Sequence, residues 1–388
     1  MADASLLLQT AAREPIAFVD LAAQRRHIGQ RMDDAIRRVV DHGKFILGPE
    51  VAELEARLAE FCGARHVLSC ANGTDALALA VMAKGLGPGQ AVLVPSFTFA
   101  ATAEIVVWYG ATPVFVDVDA DSFNMDPASL AAGVAAARRL GLDPVGVIPV
   151  DLFGLPAAYD EILAIAAANG MWVVCDAAQS FGASYKGRNV GTIGDLTTTS
   201  FFPAKPLGCY GDGGAVFLDD DETIGVLKSL RVHGQGSDKY DNVRVGMNAR
   251  LDTMQAAVLL EKLRIFEDEI AARSEVAARY GERLQGLVPV PQVPPGLTSV
   301  WAAYTVRVPP GTDRDTVAAR LKAAGVPSAV YYAKPLHRQT AYRDYPVAGN
   351  GLPVSERLAQ EVLSLPMHPY LDGAVQDFIV GALKTALR

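Results

Sequence analysis

The chain has 388 residues, 50% of them hydrophobic and 20% charged, enough to bury a large core and to divide into two domains. Its net charge of -8 at pH 7 weighs against general nucleic-acid binding, and any phosphorylated ligand must meet a local basic patch. Cys62, Cys70, Cys175 and Cys209 show no CxxC spacing, the Ser5-Leu6-Leu7-Leu8 run is too short for a secretory signal, and no stretch reaches the ~18 apolar residues of a membrane span, so a cytoplasmic protein without disulfides, metal or membrane partner is expected.

Residues 1–15 read as an N-terminal extension. The first chemical signal along the chain is Asn72-Gly73-Thr74, which precedes the apolar helical run Asp75-Ala76-Leu77-Ala78-Leu79. Such a turn is either a plain N-cap or an anion cradle, in which Gly73 admits close approach while Thr74 and free helix N–H groups donate hydrogen bonds. Short apolar runs at 91–95, 113–118, 145–150 and 171–176 predict strands, and Ala-rich stretches at 99–109, 127–140 and 158–169 predict helices between them. That alternation implies an α/β fold, a mostly parallel sheet covered by helices on both faces, with its site at the carboxyl ends of the strands. From residue 252 a single long helix is expected through Leu284, followed by Pro289, Pro291, Pro294 and Pro295. A strand at 303–308 and a helix at 314–324 then indicate a smaller C-terminal α+β domain. The expected organisation is a large domain over 16–265, then a connecting helix and small domain over 266–388.

Asp176 closes a nearly all-apolar strand, where a carboxylate is costly unless paired. Lys205 follows in Ser200-Phe201-Phe202-Pro203-Ala204-Lys205, on a tight turn before the glycine-rich Gly211-Asp212-Gly213-Gly214. An amine and a carboxylate so placed can hold pyridoxal phosphate (PLP), the lysine as a Schiff base and the aspartate against the pyridinium nitrogen. The desolvated amine can also carry a proton between substrate carbon and cofactor carbon. Gln179 is in reach of the ring hydroxyl, Ser200 can add a hydroxyl to the phosphate, and Phe99 offers an aromatic face that either stacks on the ring or packs in the core.

Over residues 16–388 the chain resembles the DegT/StrS family of PLP-dependent sugar aminotransferases. The matching segments, in order, are Phe45-Ile46-Leu47-Gly48-Pro49-Glu50, Asn72-Gly73-Thr74-Asp75-Ala76-Leu77, Pro95-Ser96-Phe97-Thr98-Phe99-Ala100-Ala101-Thr102, residues 110–117, Asp176-Ala177-Ala178-Gln179, the Ser200–Lys205 segment and Gly246-Met247-Asn248-Ala249-Arg250-Leu251. The resemblance implies the aspartate-aminotransferase fold (fold type I) and a homodimer with shared active sites. It assigns Lys205 to the Schiff base, Asp176 to the ring nitrogen, Gln179 to the ring oxygen and Phe99 to the ring face. It also assigns Gly73, Thr74 and Ser200 to the phosphate, with Asn248 reaching the phosphate from the other subunit. Two positions depart from the family's habit, Asn72 for serine and Cys175 for an acidic residue, and neither removes a proposed catalytic group. Relatives with histidine at the lysine position act as dehydratases, whereas this chain keeps Lys205.

Between residues 228 and 250, Lys228, Arg231, His233, Lys239, Arg244 and Arg250 face only Asp238 and Asp241, a local positive charge fit for a diphosphate or carboxylate. This stretch looks most like members acting on UDP-linked 3-keto sugars, including 3-keto N-acetylglucosaminuronate aminotransferases. By that analogy Arg250 and His233 contact the substrate, and Tyr331, Tyr332 and His337 line the sugar side from the small domain. The expected reaction is a ping-pong transamination: L-glutamate leaves its amino group on the cofactor, which then passes it to a nucleotide-linked keto sugar for a glycan such as lipopolysaccharide O-antigen. A PLP-dependent dehydratase and a non-catalytic regulatory protein on the same scaffold are the competing readings.

Overall fold

Seven strands form one sheet in a computed structural model that describes residues 15–238 and 240–388. Residues 1–14 of the expected extension, with the Ser5–Leu8 run, and Lys239 of the basic segment lie outside the described residues. The strands of this sheet are β1 (His66–Cys70), β2 (Gln90–Pro95), β3 (Thr112–Val116), β4 (Asp143–Val147), β5 (Trp172–Asp176), β8 (Leu196–Ser200) and β9 (Gly214–Leu218). The two-residue strands β6 (Ser184–Tyr185) and β7 (Arg188–Asn189) make a separate hairpin. The order across the large sheet is β1-β9-β8-β5-β4-β2-β3. All neighbours are parallel except at β9, which runs antiparallel to both β1 and β8. The carboxyl ends of β1, β2, β4, β5 and β8 therefore open on one edge, joined there by the start of β9.

The helices are α1 (Leu21–Ile28), α2 (Gln30–His42), α3 (Pro49–Cys62), α4 (Gly73–Ala83), α5 (Ala101–Trp108), α6 (Pro127–Arg139), α7 (Tyr159–Asn169) and α8 (Asp221–Leu230), followed by α9 (Thr253–Leu263), α10 (Phe266–Leu284), α11 (Arg314–Ala323), α12 (Pro353–Glu361) and α13 (Gly373–Ala386). The predicted strands and helices of the first half appear within a few residues of their expected bounds. Their near-continuous Val and Ala runs are buried on both faces, as central parallel strands require. β8, Leu-Thr-Thr-Thr-Ser, is the polar exception. Its buried hydroxyls are satisfied by carbonyls, Thr197 Oγ1 on Ile193 O at 2.9 Å, Thr198 Oγ1 on Cys175 O at 3.3 Å and Thr199 Oγ1 on Ala177 O at 3.0 Å.

The single long helix expected through Leu284 is instead two helices, broken between Leu263 and Phe266. Neither glycine nor proline marks the break. Ile265 leaves helical geometry (φ -112°, ψ 2°), and Ile265 and Phe266 turn into the core beside Phe61, Phe181 and Phe217. Burial of these two side chains outweighs the local preference for a continuous helix. The far half of α10 (Val276, Ala277, Tyr280, Leu284) joins a second core with α11, α13 and the antiparallel pair β10 (Tyr304–Arg307) and β11 (Val362–Leu365). Ile16 packs against this second core, and Met367 N–H donates to Phe18 O at 3.1 Å.

Candidate active site

The cleft lies along the carboxyl edge of the sheet. Asp176 ends β5, is 5% exposed, and accepts from Thr102 Oγ1 at 2.9 Å and from Ala178 N–H at 3.2 Å. Burial raises its carboxyl above the usual range, against the pull of these donors and of Lys205. Lys205 sits on the turn expected from its sequence, closed by Lys205 N–H on Phe202 O at 2.8 Å. Burial lowers its amine, and the Asp176 carboxylate opposes that shift. Among the described residues the two make no direct ion pair, so a polar group can stand between them.

Beside this pair, Asn72 caps α4 through its Oδ1, which accepts from Asp75 N–H at 2.8 Å. The amides of Gly73 and Thr74 then have no intrahelical acceptor. A Cβ on Gly73 would lie 2.6 Å from Ser200 Cβ, so the end of β8 and the start of α4 meet only because residue 73 is glycine. Gly214 is held as closely, its would-be Cβ 2.4 Å from Asn72 O. The free amides of the helix start therefore lie against Ser200, with Thr74 next in sequence, an arrangement suited to a phosphate. Gly73→Ala is expected to weaken PLP binding about 10- to 100-fold by pushing Ser200 out of this arrangement, with the circular dichroism spectrum unchanged. A PLP titration of the purified variant measures it.

Around the cleft, Gln179 Oε1 accepts from Phe153 N–H at 2.9 Å while its Nε2 donates to Tyr332 Oη at 3.5 Å. Phe99 is 60% exposed just past β2, so its ring is open to a ligand and is not core packing. Burial pushes the Tyr332 phenol well up, and Tyr331 is exposed beside it. His337, in contrast, is 7% exposed with both ring nitrogens engaged, Nδ1 with Ser96 Oγ at 2.6 Å and Nε2 with Glu356 Oε1 at 3.0 Å.

The 231–250 segment lies against the phosphate cradle, with Ala71 N–H donating to Ala249 O at 3.2 Å. Asn248 and His233 are exposed on it, and Arg250 Nε is buried without a partner. Not all of the expected basic patch is available to a ligand. Arg231 turns inward, its Nη1 on Glu55 Oε1 at 2.7 Å and on Ser69 O at 2.8 Å.

Sequence reasoning did not single out Thr102, or the carboxylate next to Asp176. Asp151 follows β4, is fully buried, and accepts from Tyr159 Oη at 2.6 Å, Ser180 Oγ at 2.7 Å and Ala157 N–H at 2.8 Å. Its backbone N–H donates to Asp176 O at 3.0 Å, so it braces the turn that carries Asp176 and Gln179. An aspartate directly after an apolar run was the available signal, the same one that marks Asp176. Burial pushes the Asp151 carboxyl up to about 7, against the three donors and with the Asp176 charge adding to the rise. A folded-state value above the unfolded one means stability is fully present below the ordinary carboxylate range and is lost as pH rises through about 7. Asp151→Asn is expected to flatten the fall in Tm between pH 5 and pH 8, which scanning calorimetry reads directly.

A parallel sheet with one reversed strand, carrying a half-buried lysine and a buried aspartate at its carboxyl edge beside a glycine-walled helix start, is the architecture of fold type I PLP-dependent transferases. The free amides of the helix start and the Ser200 hydroxyl beside them suit a phosphate, and an amine and a buried carboxylate that feel each other's charge suit the ring, so the residues suit the cofactor. The chain belongs to the DegT/DnrJ/EryC1/StrS aminotransferase family, which its residues 26–384 match. It is therefore a PLP-dependent aminotransferase. It is 50% identical to the UDP-2-acetamido-2-deoxy-3-oxo-D-glucuronate aminotransferase of Pseudomonas aeruginosa over 95% of this chain and 99% of that one. With the UDP-N-acetyl-3-dehydro-alpha-D-glucosamine 3-aminotransferase of Acidithiobacillus ferrooxidans the identity is 41%, over 92% and 94% of the two chains. The crystal structure of a DegT DnrJ EryC1 StrS aminotransferase from Brucella abortus superposes with a TM-score of 0.93 at 55% identity, covering 95% of this chain and 99% of that one. Among the described residues, no helix is long and apolar enough to cross a membrane.

Proposed function

We propose that the enzyme moves the amino group of L-glutamate to the 3-keto group of a UDP-linked sugar, and that this sugar carries a uronate carboxylate. Arg250 carries the uronate reading. It is half-buried beside the phosphate cradle, its Nε, like those of Arg231 and Arg273, without a partner, and a guanidinium at that place favours a carboxylate or phosphate. The two nucleotide-sugar aminotransferases named above, matched over nearly their full lengths, support the same substrate class.

When bound, PLP supplies an electron-withdrawing ring that stabilises negative charge at the substrate carbon. In this reading Asp176 keeps the ring nitrogen protonated, and Thr102 and Ala178 N–H hold the carboxylate in place. Lys205 Nζ anchors the cofactor and, once freed by the amino donor, carries the proton between carbons; its burial favours the neutral amine that this step requires. Gly73, Thr74 and Ser200 would hold the phosphate, Phe99 would offer its face to the ring, and Gln179 would serve the ring oxygen. Arg250, His233, Tyr331 and Tyr332 complete the sugar side. Two copies would share their sites, Asn248 of each reaching the other's phosphate, and the amino sugar formed in the cytoplasm would feed a surface glycan such as lipopolysaccharide O-antigen.

The test is 2-oxoglutarate release from L-glutamate in the presence of UDP-3-keto-N-acetylglucosaminuronate, with the UDP-3-keto hexose lacking the carboxylate as comparison. The uronate is expected to be preferred, and Arg250→Met is expected to erase that preference. Equal use of both sugars, unchanged by Arg250→Met, would remove the uronate from the reading. Ammonia in place of 2-oxoglutarate would favour a dehydratase.

A further inference from the structure

Ser96, His337 and Glu356 form a bonded line from the end of β2 to the first turn of α12. Ser96 Oγ meets His337 Nδ1 at 2.6 Å and accepts from His337 N–H at 3.2 Å, while Ser96 O accepts from Leu336 N–H at 2.8 Å. His337 Nε2 meets Glu356 Oε1 at 3.0 Å, and Arg338 holds the same oxygen through Nε at 3.0 Å and Nη2 at 2.7 Å. The line closes on the sheet. Asp117, just beyond β3, accepts from Val354 N–H at 2.9 Å and from Ser355 N–H and Oγ at 2.8 and 2.6 Å, which fixes the helix turn that bears Glu356. Since β2 and β3 are paired in register, the circuit begins and ends on neighbouring strands.

Serine, histidine and a carboxylate in this order can serve as nucleophile, base and orienter. Here Ser96 is 0% exposed, so its hydroxyl faces no substrate. What the circuit does hold is the segment that begins at Tyr331. Five residues before His337, Tyr332 packs its ring on Phe97 (centroids 6.0 Å apart, 79° between planes) and receives the Gln179 amide on its phenol. Phe97 is the neighbour of Ser96 and lies two residues before Phe99. One circuit therefore anchors both the Ser96-Phe97 stretch that leads to Phe99 and the segment that bears Tyr332.

We propose that His337 is a positioning residue, which moors the Tyr331–His337 segment to Ser96 and so fixes the Tyr332 phenol opposite Gln179, and that it does not itself touch the sugar. The proposal rests on the functional reading above only for its kinetic arm. In the cofactor-free protein, His337→Ala and Ser96→Ala are each expected to speed amide hydrogen exchange of residues 331–337 at least tenfold, while β5 and β8 stay protected. In the loaded enzyme, His337→Ala is expected to raise the KM for the UDP-keto sugar about 10- to 100-fold, with the glutamate half-reaction within about twofold of wild type. Tyr332→Ala with His337→Ala should then lose no more than Tyr332→Ala alone, because one acts through the other. His337→Asn, which restores a group opposite Ser96 Oγ, should recover most of the loss.

Unchanged exchange in both single variants would overturn the mooring. Additive kinetic losses with Tyr332→Ala would overturn the positioning role and return His337 to the sugar. If the wild type turns over no UDP-keto sugar, the functional reading fails while the exchange result still decides the mooring. Should His337→Ala fail to fold, Ser96→Ala breaks the same contact from its other side.

Discussion

Lys205→Ala is expected to lower kcat for transamination by about 10³-fold or more while leaving the cofactor site able to bind PLP. The expected loss is this large because in the proposed mechanism one amine does two jobs, anchoring the cofactor and carrying the proton, and general acid–base catalysis alone accounts for about 10²- to 10⁴-fold. The retained binding follows from geometry. Gly73, Thr74 and Ser200, proposed to hold the phosphate, meet where α4 starts and β8 ends, and the lysine is not part of that contact. Two measurements separate the effects. Borohydride reduction should link PLP covalently to the wild type and not to the variant, whereas a PLP titration should saturate both. Activity within tenfold of wild type would mean that another group moves the proton and that Lys205 has been given the wrong role.

The second large effect is expected at Asp176. Asp176→Asn preserves shape and removes charge, so it should lower kcat by about 10²- to 10³-fold, in line with ~2–5 kcal/mol for loss of one partner from a buried charged pair. KM for glutamate should change far less, because the interaction proposed for Asp176 is with the cofactor ring. The same substitution carries a stability signature of opposite sign. Burial holds the Asp176 carboxyl above its usual range, so its penalty is absent at low pH and complete once pH has passed the raised value. The cofactor-free variant is therefore expected to melt no lower than wild type at pH 8, although it is nearly inactive. A cofactor-free Tm well below wild type, with kcat preserved, would recast Asp176 as a structural cap on the 177–180 turn.

The alternation of Val-rich and Ala-rich runs was enough to read a mostly parallel sheet, because strands buried on both faces need unbroken apolar runs and central helices need small ones. Lys205, Asp176 and the Asn72-Gly73-Thr74 turn were legible for a related reason. Each sets a charged or conformationally special residue where a strand ends, and a carboxylate at the end of a Val-Val-Cys run needs a partner, either a cap on the following turn or a ligand, between which Lys205 decides. The break before Phe266 was not legible, since no residue there disfavours a helix locally. Asp151 offered the same sign as Asp176 and was passed over, because nothing in one dimension showed that parallel β4 and β5 would bring the two carboxylates side by side.

His337 shows the limit most clearly. As a lone histidine in a loop it reads as a surface residue, and only the resemblance placed it at the sugar, yet its neighbours Ser96 and Glu356 come from 241 residues before it and 19 residues after it. Local chemistry, the lysine on its turn, the aspartate at its strand end and the glycine before its helix, is determined by the sequence alone, because each depends on conformational and solvation preferences of a few adjacent residues. Which polar groups become partners was decided by tertiary structure, because hydrogen bonds form between whatever groups the packing of the core brings within reach. Arg231 was drawn inward to Glu55 and His337 to Ser96, while Arg250 stayed beside the phosphate cradle.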